Sequence, residues 1–206
     1  MQNFLTLLFL FAFPTANLFS QFWGGNGTEN DPFLINNIDN LNHLADSVNT
    51  YWAHPIQNWC YDLYFNQTSN IMIPLTKTIG ISNRYFQGHY NGQEHYVTLN
   101  LLSPNNGYYV GLFGRIMEAS VRYATIYGSV TITHFMGSPN STAGITGTAI
   151  RSTIEYCRNY AVINGYTNDH VGGIAGDAAF SEINNCVNLG NVEGFNNIGG
   201  IVGRAS

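Results

Sequence analysis

The sequence predicts an all-β fold, a right-handed parallel β-helix (solenoid) with an N-terminal α-helical cap. Two observations carry the solenoid. In the second half of the chain a Gly-x-x-Gly tetrapeptide recurs four times, at Gly111–Gly114, Gly144–Gly147, Gly173–Gly176 and Gly200–Gly203, with first glycines 33, 29 and 27 residues apart. The flanks of the copies also align. Counted from the second glycine, position +7 holds Val121, Ile154 and Ile183, position +10 holds Ala124, Cys157 and Cys186, and position +16 holds Val130, Ile163 and Val192. Positions +10 to +16 alternate with polar or variable neighbours, the period of strands with one buried face.

A unit this short cannot bury its own apolar face and must stack on its neighbours. Glycines at this density exclude helical repeats, since each costs about 1 kcal/mol inside a helix. A propeller blade, the competing β architecture, needs about 40 residues or more. In stacked coils, like positions lie about 4.8 Å apart, so charges test the register. Position +4 sets Glu118 beside Arg151, and +8 sets Arg122 beside Glu155, both opposite-sign pairs. At +12, Asn159 and Asn188 are expected to form an amide ladder. Cys157 and Cys186 stack likewise, as buried thiols or as a disulfide.

The elements before the repeats follow in order. Residues 1–20 read as a signal peptide, with an apolar run from Met1 to Phe13 that is short for a membrane span. Cleavage is expected after Ser20, with Ala16 the alternative; a buried apolar helix is the competing reading. Residues 21–105 are assigned to the cap and first coils, with an aromatic-rich insert. Leu41, Leu44, Ala45 and Val48 fall on one helical face, with Asp39 as the expected cap. Residues 106–206 hold the repeats. The fourth copy stops at Ser206, where a coil would continue, and reads as a fragment or an early-ended product of a longer protein.

Gly111-Leu-Phe-Gly114, with its three variants, resembles the GLUG-repeat family of bacterial secreted and surface proteins. The Gly24–Ile35 stretch and Phe86–Gly92 are similar to the family's opening segment and its Phe-x-Gly turn. The resemblance implies a β-helix, a surface or adhesion role and no family-wide catalytic residues.

Composition narrows the function. A net charge of −5 with only seven Lys and Arg excludes a nucleic-acid partner. Three cysteines at this spacing fit no zinc pattern, and no cofactor is expected. Asp177 and Glu182, in neighbouring columns, are the sole route to a catalytic acid pair. Asn168, Asp169 and His170, which include two residues absent from the next repeat, are the candidate binding loop, although a solvated turn is the plainer reading. Trp52 and Trp59, in an aromatic run with Tyr51, Tyr61, Tyr64 and Phe65, are candidates for stacking on a sugar, although core or cap packing is the plainer reading of most of these rings. The expectation is a non-catalytic, secreted or cell-surface adhesion or binding scaffold, with surface glycans or cell-surface proteins as partners. A carbohydrate-binding module and a polysaccharide-active β-helix enzyme are the alternatives.

Overall fold

The computed structural model describes residues 24–50, 58–102, 108–133, 140–166 and 169–206. The signal-peptide segment, Trp52 and Asn168 lie outside these residues. The chain forms a parallel β-solenoid, and every ladder between its named strands is parallel. One circuit runs through strands Ser141–Thr142, Thr146–Ile150, Thr153–Glu155, Arg158–Asn159 and Val162–Gly165. His170 then begins the next circuit directly beside Ser141.

The longest unbroken stack is a six-stranded sheet made of Phe33–Ile35, Tyr64–Gln67, His89–Asn91, Ser120–Arg122, Thr153–Glu155 and Glu182–Asn184. Phe33, Phe65, Tyr90, Val121, Ile154 and Ile183 are register partners and form one inward column. Aromatic residues fill the early coils. Phe86 packs against Phe65 at 5.7 Å and Phe113 at 4.7 Å, and all three rings are fully buried. Aliphatic and small residues fill the later coils. The described part of the aromatic-rich insert supplies two strands, Tyr64–Gln67 and Ile71–Leu75, both within the sheets.

The glycines of the repeat have separate roles. A Cβ on Gly147 would lie 2.7 Å from both Gly114 O and Val110 N and 2.8 Å from Ser141 O. The second glycine therefore lets its strand pack closely on the backbone of the preceding coil and of its own corner. A Cβ on Gly144 would strike the Asn159 amide at 2.3 Å, and one on Gly173 the Asn188 amide at 2.3 Å. The first glycine therefore makes room for the asparagine ladder. Asn159 Nδ2 donates to Asn188 Oδ1 at 2.8 Å, and its Oδ1 accepts from the Ala161 amide at 3.1 Å. Where +12 is Ile126, one strand runs unbroken over Thr125–Thr131. Where it is Asn159, the amide captures the local backbone and the strand divides into Arg158–Asn159 and Val162–Gly165.

The charge register holds, with Arg151 on Glu118 at 2.8 Å and Arg122 on Glu155 at 3.1 Å. Such exposed pairs contribute only about 0–1 kcal/mol each. Helix α1, Ile38–Thr50, buries Leu41, Leu44, Ala45 and Val48 completely. It packs on Phe33–Ile35 and Ile71–Leu75, the first strands of their sheets, whose edges it helps to cover. Its cap is Asn37 rather than Asp39: Asn37 Oδ1 accepts from the Asn40 amide at 2.9 Å. Asp39 lies in the first turn, where its charge favours the helix dipole.

Cys60, Cys157 and Cys186 are free thiols. Burial pushes the Cys60 thiol up to about 12 and raises that of Cys157. Cys186 is more exposed, and a hydrogen bond with Cys157 lowers its thiol. Iodoacetamide at neutral pH should therefore alkylate native protein at Cys186 alone. Peptide mapping that finds Cys60 modified before unfolding would contradict this core.

Candidate functional site

Of the sequence-derived candidates, Asp169 and His170 are positioned by the neighbouring coil. The Asp169 amide donates to Asn140 Oδ1 at 2.7 Å. His170 is not a loop residue. It opens the strand His170–Gly172, is 5% exposed, and its Nδ1 lies 3.4 Å from Ser141 Oγ. The two-residue insertion is absorbed at the corner ahead of the strand, so His170 keeps its register. Beside it Arg204 grips Asp177 with both prongs, Nε to Oδ1 at 3.1 Å and the terminal nitrogen to Oδ2 at 2.5 Å. Asp177 is thereby committed to an ion pair. Glu182 stands on a different sheet, so the two are not assembled as an acid pair. Trp59 is partly buried against the core and meets Phe65 edge-on at 6.1 Å. Its ring serves packing rather than an open platform.

Burial, followed by the Arg204 charge, holds the His170 imidazole below its ordinary value of 6.5, with Asp177 and Asp169 opposing. The folded state then binds fewer protons than the unfolded chain. This contribution is fully present above the unfolded value and falls away as pH drops through it toward the folded value. The urea midpoint should decline on acidification from about pH 7 to about pH 5, and His170→Gln should flatten that decline. An identical pH slope in the variant would assign the sensitivity to other groups.

Two further surfaces carry more open chemistry. The first is a tyrosine face that runs from the corner after the six-stranded sheet onto the outside of the seven-stranded sheet. Tyr123 and Tyr156, at position +9, stack at 5.0 Å and 7°, and Tyr127 and Tyr160, at +13, stack at 4.8 Å and 6°. Tyr96 meets Tyr127 edge-on at 5.3 Å. Because the paired rings cover each other's faces along the coil axis, they offer edges and hydroxyls outward. Glu94, Thr125, Arg158 and Val187 complete a shallow groove with Tyr123 and Tyr156. Both of these tyrosines turn a corner in the left-handed conformation, at φ 52° and 55°, while Asn185 takes the same position at 53° in the next coil. A residue with a Cβ pays about 1–2 kcal/mol there, and asparagine is tolerated best. The mutual stacking of the rings returns about 0.5–1.5 kcal/mol.

The second surface lies on the outer face of the six-stranded sheet. His89 Nε2 lies 3.0 Å from Asp62 Oδ1 and His89 Nδ1 lies 2.9 Å from Ser120 Oγ. A neutral ring donates from Nε2 to the Asp62 carboxylate and accepts at Nδ1 from the Ser120 hydroxyl. The Tyr64 ring lies tilted against the His89 ring, 4.4 Å away at 31°. This relay orders the residues of a Ser–His–Asp triad, but its setting differs from one that generates a nucleophile. The Asp62 side chain is 72% exposed, so water screens the charge that would stabilise an imidazolium. The Ser120 amide is committed to Gly88 O at 3.1 Å within the ladder and is unavailable to an oxyanion. The relay is a clamp that fixes the His89 ring.

No known family model matches the chain. It is 28% identical over 147 residues to a protein of Evansella cellulosilytica described as "Putative Gly-rich membrane protein", a match that takes in 70% of this chain and 15% of that one. The chain thus spans a small part of the relative's length. Among solved structures it is similar to one described as a "putative immunoglobulin A1 protease" from Bacteroides ovatus, with a TM-score of 0.58, 18% identity, and coverage of 88% of this chain and 64% of that chain. At that identity the likeness is one of fold, and it agrees with a β-helix. Among the described residues, no helix is long and apolar enough to cross a membrane.

Proposed function

We propose that the chain is a non-catalytic binding scaffold, secreted or held at the cell surface, that adheres through its tyrosine face in the manner the GLUG-like repeats imply. The observation that carries this is the pair of stacked, solvent-facing tyrosines at left-handed corners. The left-handed corner itself recurs from coil to coil, at Glu118, Arg151 and Phe180 as at Tyr123, Tyr156 and Asn185, so it is the exposed, paired rings and not the backbone that support this reading. Tyrosine also suits a contact surface, since it combines apolar area with a hydroxyl at low entropic cost. A surface location is supported by the membrane description of the relative and by the apolar run at residues 1–13.

The test uses beads coated with the full chain, passed over surfaces bearing mucin or fibronectin. Retention on one of them is expected to exceed that of albumin-coated beads and to fall at least about tenfold for Tyr123→Ser/Tyr156→Ser, the loss of two aromatic anchors. Equal retention of variant and parent, or none by either, would sink the proposal.

A further inference from the structure

We propose a second binding site, for a neutral oligosaccharide, in the groove on the outer face of the six-stranded sheet. Two outward columns form its floor. Tyr64, His89 and Ser120 are register partners in three successive coils, as are Asn66, Asn91 and Arg122. Polar groups therefore recur about every 4.8 Å along the solenoid axis, and Glu29 lines the same groove. This spacing suits an extended ligand that repeats its own hydroxyls along the same direction.

The chemistry of the columns selects the ligand class. His89 is held by Asp62 and Ser120 and lies 4.4 Å from the tilted ring of Tyr64, which makes this part of the floor aromatic. Asn91 Oδ1 already accepts from the Gln93 amide at 3.0 Å, which orients the carboxamide and leaves its Nδ2 donors for a ligand. Asn66 offers both a donor and an acceptor in the adjoining coil. A sugar hydroxyl, itself donor and acceptor, matches such amides. Anionic ligands are disfavoured, because Glu29 and Asp62 flank the groove while Arg122 is neutralised by Glu155 at 3.1 Å. An added peptide strand is also disfavoured, since the groove lies on the face of a paired sheet and presents no free backbone edge.

The site is independent of the tyrosine face, and the experiment separates the two. The full chain is screened on an array of neutral, sialylated and sulfated oligosaccharides, and the best neutral glycan is then titrated calorimetrically. Asn66→Ala/Asn91→Ala should weaken binding at least about tenfold through loss of two hydrogen-bonding partners. Asn91→Asp, which preserves shape and removes the donors, should weaken it in the same direction, and Tyr123→Ser/Tyr156→Ser should leave it unchanged. Circular dichroism checks that each variant is folded. Retention of charged glycans alone, of none at all, or binding indifferent to both asparagine variants overturns the proposal. So does binding lost only in the tyrosine variant, an outcome that leaves the adhesive face standing.

Discussion

Phe86→Ala is expected to destabilise the solenoid by about 3–5 kcal/mol, as for a large ring removed from a closed core. The ring is fully buried between Phe65 and Phe113. Its backbone also joins adjacent coils, with its amide donating to Arg115 O and its carbonyl accepting from the Met117 amide, both at 3.0 Å. The surroundings are thus held from several sides and cannot collapse into the void. For a chain of this length each kcal/mol moves the melting temperature by about 2–4 °C, so a fall of roughly 10 °C is expected by calorimetry. Phe86→Leu, which keeps most of the volume, should cost clearly less. A loss of only a few degrees for the alanine variant would mean that the aromatic column is loosely packed.

Gly147→Ala is expected to cost about 3 kcal/mol, the upper end of the range for overpacking. The added carbon meets three backbone atoms of three different segments at 2.7 to 2.8 Å, and none of these can rotate away. Coils of a solenoid are stabilised by their neighbours. A fault in this coil should therefore broaden the melt into separate transitions as well as lower it. Gly200→Ala is the internal control: a Cβ there meets nothing within 4 Å, so the variant should melt like the parent. Equal effects at the two glycines would show that the tetrapeptide does not form the corner assigned to it.

These two positions also mark what could be read from the sequence. Gly147 belongs to a motif whose flanks repeat, and the same alignment places Val121, Ile154 and Ile183 in one inward column and Asn159 against Asn188. It equally contained the Tyr123/Tyr156 and Tyr127/Tyr160 columns. Those went unread because exposed rings leave no apolar alternation to follow. Arg204 aligns at +1 with Asp177, a pairing that becomes visible only when the last repeat is compared at that position. The clamp was beyond reach for a different reason. Asp62 and His89 precede the four aligned tetrapeptides, so no motif marks the start of their coils, whose inward residues Phe33, Phe65, Tyr90 and Val121 are 32, 25 and 31 positions apart. No fixed period brings Ser120 to His89. The loop expected at His170 is a strand because the corner ahead of it absorbs the two extra residues and the strand keeps its register.

Both binding surfaces depend on one claim, that successive repeats stack in register and advance by one strand spacing. Leu34 and Asn184 are 150 residues apart in sequence but stand in one outward column, five steps from end to end. Spin labels on cysteines at 34 and 184, with Cys186 replaced by serine, measure that column by double electron–electron resonance. Five steps predict a narrow distribution near about 24 Å, and labels at 34 and 122, three steps apart, predict about 14 Å. A broad distribution, or a separation that does not grow by one spacing per coil, would contradict the solenoid and the two surfaces built on it.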